Sequence, residues 1–303
     1  MEAYDGPQIV GMDLHRRRSV LVRMSEDGQK LATARITNSP ARLAAEIRRA
    51  GPQPQVVLEA CYGWYWAADA LAEAGAEVHL AHPLGVKAFS HRRVKNDELD
   101  ARDLADLLRM GKLAEAWIAP AEIRELREIT RYRGKLVQLR TSCKDQVHGV
   151  LAKLGIEVTC SDIFGAWGTQ WLDELPLPQP YCWKVASLRQ LIGWLTSEIT
   201  VLEQVSADLL AGHDGYRAVQ ELPGIGPVLG AVIVAEIGDI TRFRHPARLC
   251  SWAGLTPRHY ESDTTVIRGR ITKMVCAGGT VPSRRLGGVR WRWLEDSICT
   301  GVS

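Results

Sequence analysis

The sequence predicts an α/β domain with a mixed β-sheet, followed by an α-helical arm and a mainly α-helical third region. Three observations lead to this prediction. β-rich runs come first, apolar runs then alternate with segments of helical periodicity, and long helical patterns dominate from about residue 121 onward. A chain of 303 residues is long enough for two or three domains.

The first three runs have β character. They are "QIVGMDLH", "SVLVRM" and "KLATARIT", and the turn "EDGQ" separates the last two, which predicts three sequential antiparallel strands. A helix follows in "SPARLAAEIRRAG". There Ser39 can cap the first turn, Pro40 suits the first helical position and Gly51 ends the helix.

Strands and helices then alternate. "QVVLEA" and "AEVHLAH" have the apolar character of strands, and "GWYWAADALAEAG" and "NDELDARDLADLLRMG" have that of helices. The last helix is expected to bury a leucine side formed by Leu99, Leu104, Leu107 and Leu108. The order β-β-β-α-β-α-β-α describes an antiparallel trio whose first strand continues into parallel neighbours, as in the ribonuclease-H-like fold.

The rest of the chain is predicted to be mainly helical. Charged helical sequence runs from residue 121 to 155, and "YCWKVASLRQLIGWLTSEITVLEQVSADLLAG" forms a second long helical pattern. These two segments can pair as an antiparallel hairpin or serve as an oligomerisation arm. We therefore predict an α/β domain over residues 1–118, a coiled-coil-like arm over 119–212 and a third domain over 213–273.

Composition excludes several classes of protein. The seven cysteines are odd in number and include no Cys-x-x-Cys pair, which argues against a disulfide framework and a zinc site. The sequence shows no signal peptide and no apolar run of roughly 18 residues, so we expect a soluble cytoplasmic protein without a membrane partner. The net charge of +3 is small, but basic residues cluster in "HRRRS", "SHRRVK" and "RELREITRYRGKLVQLR", which hints at nucleic acid.

Four carboxylates are candidates for a metal site. Asp13 is predicted in the middle of the first strand, Glu59 at the end of the fourth, and Asp97 and Asp100 on one face of the last helix of the domain. Taken alone, Asp13 and Glu59 are explained equally well by solvent or by a salt bridge, and Asp97 and Asp100 are better explained by the helix dipole. The topology, however, predicts that they converge as oxygen ligands for two Mg²⁺ or Mn²⁺ ions, with Asp103 as the reserve candidate.

A glycine turn in "LPGIGPVLGAVIV" is a candidate phosphate-binding element. Gly224 and Gly226 would let backbone N–H groups approach a phosphate at the start of the helix that begins near Pro227. The pattern resembles a helix-hairpin-helix, which binds the DNA backbone without sequence preference. An ordinary corner between two helices is the alternative.

Ser262 is a candidate nucleophile, although its surroundings alone favour polar surface. We expect it in a loop after the helix of "RLCSWAGLTPRHY", and a serine hydroxyl is a poor nucleophile without an activating base or metal. Arg258, Arg268 and Arg270 lie nearby in the sequence and can hold a phosphate.

These motifs, taken in order, resemble one family, the IS110-type insertion-sequence transposases, which are relatives of the Piv/MooV DNA invertases. The motifs are "VGMDLH", "VVLEACYGW", "VKNDELDARDLADLL", "ELPGIGPVLGAVIVAEIGD" and "RLCSWAGLTPRHYESDTTVIRGRITK". The resemblance implies a RuvC-like domain whose Asp-Glu-Asp-Asp metal site falls on Asp13, Glu59, Asp97 and Asp100, and a nucleophilic serine that falls on Ser262. It also implies DNA as substrate, a non-coding bridge RNA as guide and a homo-oligomer, from dimer to tetramer, associated with the nucleoid.

The resemblance ends near Lys273. The following sequence, "MVCAGGTVPSRRLGGVRWRWLEDSICTGVS", has no helical period, where the family continues with a helix rich in leucine, arginine and tryptophan. We hypothesise a frameshift after Lys273, which would leave residues 274–303 as an aberrant, disordered tail and a truncated third domain whose retained activity is an open question. Translation of the source DNA in the other two frames tests this hypothesis.

The sequence therefore favours an RNA-guided DNA transposase or recombinase. Two alternatives remain open at this stage. A RuvC-like structure-selective endonuclease would use the carboxylates with water and would not need Ser262, and a nucleic-acid-binding remnant would use only the hairpin and the basic arm.

Overall fold

The computed structural model describes Tyr4, residues 6–87 and residues 96–271. The predicted tail at 274–303 lies outside these described residues. The chain divides into a first unit, Met1–Ile118, and a second unit, Ala119–Ser303, each with its own core.

A six-stranded mixed sheet forms the centre of the first unit. Its strands are β1 (Gln8–Leu14), β2 (Arg18–Ser25), β3 (Lys30–Thr37), β4 (Gln55–Glu59), β5 (Glu77–Ala81) and β6 (Glu115–Ala116). The spatial order is β3-β2-β1-β4-β5-β6. The first three strands pair antiparallel, while β1, β4 and β5 run parallel. This is the strand arrangement of a ribonuclease-H-like domain, as the sequence predicts; the short antiparallel edge strand β6 was not predicted.

Helices cover both faces of this sheet. They are α1 (Pro40–Arg48), α2 (Trp64–Glu73), α3 (Pro83–Lys87) and α4 (Asp97–Arg109). Helix α1 begins where predicted, because the Ser39 hydroxyl accepts a hydrogen bond from the backbone N–H of Arg42 at 3.3 Å and Pro40 occupies the first turn. Helices α1 and α2 pack over the face that carries Val10 and Met12, and α4 packs over the opposite face.

Helix α4 lies unusually close to β1, because β1 has a glycine at the point of contact. A Cβ atom on Gly11 would lie 1.8 Å from the carbonyl oxygen of Ala101. Small residues on the helix match this approach, since Ala101 and Ala105 are fully buried and share an apolar cluster with Ile9. The contact fixes the position of α4 along the strand.

Two long helices dominate the second unit. They are α5 (Ala121–Lys153) and α7 (Tyr181–Leu209), with the shorter α6 (Ala166–Glu174) between them. Arg133 on α5 pairs with Glu203 on α7, and Arg140 donates to the Thr196 hydroxyl at 3.3 Å, so the two helices run antiparallel. The hairpin that the sequence allowed is therefore present.

The remaining elements of the second unit are shorter. They are α8 (Asp214–Gln220), α9 (Pro227–Ile237), a 3₁₀ turn (Ile240–Arg242), α10 (Pro246–Trp252), β7 (Pro257–Ser262) and β8 (Thr265–Ile271). The last two strands form an antiparallel ribbon. Among the described residues, no helix combines the length and apolar character needed to cross a lipid bilayer.

Candidate metal centre and serine hairpin

Asp13 lies at the carboxyl end of β1, as the last residue but one, and not in the middle of the strand as the sequence suggested. Strands β1 and β4 are parallel, with Met12 opposite Leu58. Continuing this register by one residue places Asp13 beside Glu59, the last residue of β4. The carboxyl ends of two neighbouring parallel strands thus each carry an acidic residue.

Both acidic residues belong to the face of the sheet that α4 covers. Side chains alternate along a strand, so Asp13 shares a face with Gly11, and Glu59 shares a face with Val57. Gly11 touches α4 directly, and Val57 belongs to a cluster with residues of the same helix. Helix α4 is therefore the element that can bring further ligands to these carboxylates.

The first turn of α4 supplies the other two predicted carboxylates. Asp97 and Asp100 precede the buried residues Ala101 and Leu104 by four positions each, so they extend the sheet-facing side of the helix by one turn. Asp103, the reserve candidate, lies one turn after Asp100 and is half-buried.

Three side chains meet where these elements converge. The Nε2 atom of His15 lies 3.0 Å from Oδ2 of Asp13 and 3.5 Å from Oδ2 of Asp97. All three ligand atoms lie within 4.8 Å of one another. The side chain of Asp13 is 17% exposed, whereas those of His15 and Asp97 are 43% and 51% exposed, so the cluster opens to solvent on one side. Carboxylate oxygens and an imidazole nitrogen at this spacing suit a divalent metal ion.

Glu59 and Asp100 do not belong to this three-residue group. The negative charge of Glu59 nevertheless affects the same end of the sheet, where the thiol of Cys61 lies 3.5 Å from the carbonyl oxygen of Leu14. Burial raises the pKa of the Cys61 thiol, and the negative charges of Glu59 and, more weakly, Asp13 raise it further. The two strand-end carboxylates thus create a region of negative potential at this end of the sheet.

Glu98 anchors the start of α4 to the sheet. Its carboxylate accepts hydrogen bonds from Lys30 at 2.9 Å, Thr33 at 3.0 Å and Arg35 at 3.1 Å, all on β3. The hydrogen bonds from Lys30 and Thr33, with the positive charges of Lys30 and Arg35, lower the pKa of the Glu98 carboxyl. The Asn96 side chain caps the same turn by accepting from the Glu98 N–H at 3.0 Å. These bonds keep the first turn of α4, and with it Asp97, over the carboxyl end of β1.

His15 is the residue that the sequence interpretation missed. It follows Asp13 by two positions, and in an extended chain this spacing places both side chains on the same face. The "DLH" spacing is therefore a usable signal for a ligand set that includes a histidine.

Ser262 is the last residue of β7, not a loop residue as expected. It pairs with Thr265 across a two-residue turn in which Asp263 adopts a φ of 51°. Such turns favour Asp, Asn or Gly, because their residues need positive φ. The serine consequently lies exposed beside the tip of a β-hairpin.

The ribbon separates Ser262 from Arg268, one of the three predicted arginines. Arg268 pairs with His259, and residues directly opposite each other share a face. Ser262 lies three residues from His259, which is an odd number, so its side chain belongs to the other face. Arg258 and Arg270 both lie in the irregular stretch between the pairs Pro257–Ile271 and His259–Arg268, where the alternation of side chains does not assign a face.

The predicted glycine turn connects α8 and α9. Gly224 has a φ of 89°, a conformation that a side chain disfavours, and Gly226 is the N-cap of α9 without a side-chain cap bond. The two helices pack closely, because a Cβ on Gly230 would lie 3.2 Å from both Tyr216 and Gln220. Backbone N–H groups at the start of α9 are thus presented by a tight pair of helices.

Two family models match the chain. An IS110-type DEDD transposase model matches residues 10–156, and the model of the transposase IS116/IS110/IS902 family matches residues 216–277. The first match includes all four predicted carboxylates and His15, and the second includes both glycines and Ser262. Together the matched segments span well over half of the chain.

Individual relatives carry corresponding names. A probable family 20 transposase of Pseudomonas aeruginosa is 29% identical over 233 residues, which cover 73% of this chain and 67% of the relative. The transposase for insertion sequence element IS1111A of Coxiella burnetii is 22% identical over 278 residues, which cover 88% of this chain and 73% of the relative. The chain belongs to the IS110-type family of insertion-sequence transposases.

A solved structure is also similar to part of the chain. It is T. thermophilus RuvC in complex with a Holliday junction substrate, 17% identical, with a TM-score of 0.28 over 36% of this chain and 99% of that chain. The fold of the first unit is assigned from its own strand order and not from this similarity.

Proposed function

We propose that this transposase cleaves and exchanges DNA strands with a carboxylate metal centre in the first unit and Ser262 in the second. The observation that carries the proposal is the convergence of Asp13 on β1 and Asp97 on α4, with Glu59 beside Asp13 in the strand register. A half-buried carboxylate at a strand end is costly unless it meets a cation or a cleft. The family supports the reaction class, and the convergence of Asp13 and Asp97 supports this location for the metal centre.

Asp13, Glu59, Asp97 and Asp100 would hold Mg²⁺ or Mn²⁺. Carboxylate oxygens are the donors that these ions prefer, and the open side of the cluster leaves room for a phosphate oxygen. When bound, the ions supply charge neutralisation at the phosphodiester and make a nearby hydroxyl easier to deprotonate.

Ser262 would act as the nucleophile. Its Oγ forms a bond to phosphorus while the bond from phosphorus to a deoxyribose oxygen breaks, the serine proton is lost, and the released deoxyribose oxygen takes up a proton. Attack of another strand's hydroxyl on the serine phosphodiester then joins that strand and restores the serine. Exposure beside the hairpin tip supports this role, because DNA can reach the hydroxyl there.

The remaining predicted contacts concern DNA, RNA and further copies of the chain. Gly224 and Gly226 would present backbone N–H groups to DNA phosphates in a helix-hairpin-helix. Arg258, Arg268 and Arg270 would bind backbone phosphates, and for Arg268 this is a phosphate other than the one attacked, since Ser262 lies on the opposite face. A bridge RNA would select the DNA sites.

The arm formed by α5 and α7 would join protomers into a dimer or tetramer. Large apolar side chains on α7 are exposed within the chain, which supports this role: Trp183 (68%), Leu191 (47%), Trp194 (56%), Val201 (57%) and Leu209 (61%). A second copy could cover them.

The test uses Ser262→Ala and Asp13→Ala in a recombination assay with the element's own RNA. A chain with the reading frame restored after Lys273 serves as the positive control. We expect both variants to lose strand exchange and the covalent bond between Ser262 and DNA, because Ser262→Ala removes the nucleophile and Asp13→Ala removes a ligand of the ions that would activate it. Hydrolytic cleavage that survives Ser262→Ala but not Asp13→Ala would indicate the endonuclease instead. An undiminished covalent adduct in Ser262→Ala would contradict the assignment of the nucleophile.

A further inference from the structure

We propose that His15 is a nitrogen ligand of the metal centre and that it makes the centre favour Mn²⁺ and related transition-metal ions over Mg²⁺. This inference rests on the proposed function, since it concerns the same centre. It adds a residue outside the four predicted carboxylates, and a selectivity that those carboxylates alone do not provide.

The distances around His15 match those between ligands of a single ion. Two donor atoms bound at about 2.1 Å lie about 3.0 Å apart at a right angle and about 3.4 Å apart at a tetrahedral angle. The Nε2 atom of His15 lies 3.0 Å from Oδ2 of Asp13 and 3.5 Å from Oδ2 of Asp97. Both distances from His15 therefore suit ligands of one ion, and the three ligand atoms of the group lie within 4.8 Å of one another.

The backbone of His15 is held in place from two sides. Its N–H donates to the carbonyl oxygen of Arg18 at 3.2 Å, which closes the connection between β1 and β2. Its carbonyl oxygen accepts from Nδ2 of Asn38 at 2.6 Å, and Oδ1 of Asn38 accepts from the hydroxyl of the fully buried Ser19 at 2.7 Å. These bonds fix the backbone from which the imidazole projects.

The chemistry of the donor decides the expected selectivity. Mg²⁺ takes oxygen ligands almost exclusively and keeps several waters, whereas transition-metal ions accept imidazole nitrogen readily. A centre of two aspartates and one imidazole is therefore expected to discriminate against Mg²⁺. The competing interpretation is that His15, as an imidazolium ion, merely balances the two aspartates, in which case it would compete with the metal.

The experiment uses the full chain, prepared without a histidine tag, and Mn²⁺ alone as the probe. Pulsed electron paramagnetic resonance detects magnetic coupling between bound Mn²⁺ and a coordinated nitrogen nucleus. We expect this coupling in the unaltered chain, and replacement of its pattern by that of ¹⁵N when histidine is labelled. The coupling should disappear in His15→Ala and persist in His79→Ala. His79 is the matched control, since it lies on β5 and contacts Glu77 and Glu115 instead.

Affinity measurements complete the test. We expect His15→Ala to weaken Mn²⁺ binding roughly tenfold or more, and Mg²⁺ binding by less than about twofold. Bound Mn²⁺ without nitrogen coupling in the unaltered chain would overturn the proposal, as would tighter Mn²⁺ binding in His15→Ala. The first of these results is measured in the unaltered chain, so it does not depend on how well the variant folds.

Failure of this inference can be told apart from failure of the metal centre itself. If Asp13→Asn abolishes Mn²⁺ binding but no nitrogen is coordinated, only the role of His15 is wrong. If neither Asp13→Asn nor Asp97→Asn alters Mn²⁺ binding, the proposed metal centre is wrong, and the role of His15 with it.

Discussion

Replacing Gly11 by alanine should disturb the metal centre from a position that carries no ligand. The new Cβ would lie 1.8 Å from the carbonyl oxygen of Ala101 and 2.8 Å from its carbonyl carbon. Contacts of a real Cβ essentially never fall below 3.0 Å, so α4 must recede from β1 by about 1.2 Å. Because these neighbours are backbone atoms, no change of side-chain conformation can relieve the overlap.

The displacement should weaken both the fold and the metal centre. Overpacking of this kind costs about 1–3 kcal/mol of unfolding free energy. Asp97 lies one turn before Ala101 on the same helix, and metal sites tolerate errors of only about 0.2 Å in ligand distance. We therefore expect Mn²⁺ affinity to fall on the order of tenfold or more, because Asp97 moves away from Asp13 with the helix.

Urea unfolding and Mn²⁺ titration measure the two effects. Gly134→Ala is the matched control, because Gly134 lies within α5 in open space. There alanine should raise the unfolding free energy by about 0.5–1 kcal/mol and leave Mn²⁺ affinity unchanged. An unfolding midpoint and a Mn²⁺ affinity that both remain unchanged in Gly11→Ala would refute the close approach of α4 to β1.

Three further predictions concern other parts of the chain. Glu98→Gln should reduce the free energy of unfolding at neutral pH. Because the pKa of Glu98 is lowered in the folded chain, the difference from the unaltered chain should shrink as the pH falls below the ordinary carboxyl pKa of 4.5. Urea unfolding across that pH range measures the difference, and a constant difference would contradict the prediction. Leu136→Ala should lower the free energy of unfolding by about 2–5 kcal/mol, because this side chain is 3% exposed and packs between α5 and α7. Leu139 is 45% exposed on the same helix, so Leu139→Ala should lower it far less. Equal losses would argue against the core of the hairpin. Arg268→Ala should make the slope of log affinity for duplex DNA against log salt concentration less steep by about 0.9, whereas Thr265→Ala should leave it unchanged. Identical slopes in the two variants would show that Arg268 is not part of the DNA interface.

The sequence was most informative where the structural signals are local. Helix α1 could be bounded closely because its cap Ser39 and its first-turn Pro40 act within one turn of the chain. The place of β1 between β2 and β4 followed from the order of elements, and this order also put Asp13 near Glu59. The proximity of these two residues depends only on the order and pairing of the strands, which the sequence pattern predicts.

Features that depend on distances between elements could not be predicted. The expected leucine side of α4 is only partly correct, since Ala101 and Ala105 form the contact with β1 while Leu99 is only half-buried. Hydrophobic periodicity gives the direction of a face but not how near it lies to its neighbour. The cluster around His15 and the hydrogen bonds of Glu98 to β3 both depend on the distance between α4 and the sheet.

The second unit shows a different limit. The ribbon of β7 and β8 was not predicted, because its polar, β-branched sequence lacks a strong apolar alternation. The nucleophilic role of Ser262, the guide RNA, the oligomer, the domain boundaries and the frameshift remain predictions. The family match from 216 to 277 ends four residues beyond Lys273, the point of the proposed frameshift.

The strand pairing in this ribbon makes its proposed chemistry sensitive to the number of residues in β8. Ser262 and Arg268 are separated by an even number of positions along the chain, but the two-residue turn reverses the strand and puts them on opposite sides. Deleting a single residue from β8 between Thr265 and Arg268 would exchange the two sides of that strand beyond the deletion. The positive charge of Arg268 would then lie on the side of the serine, so the spacing, and not only the identity, of these residues determines which phosphate each can reach.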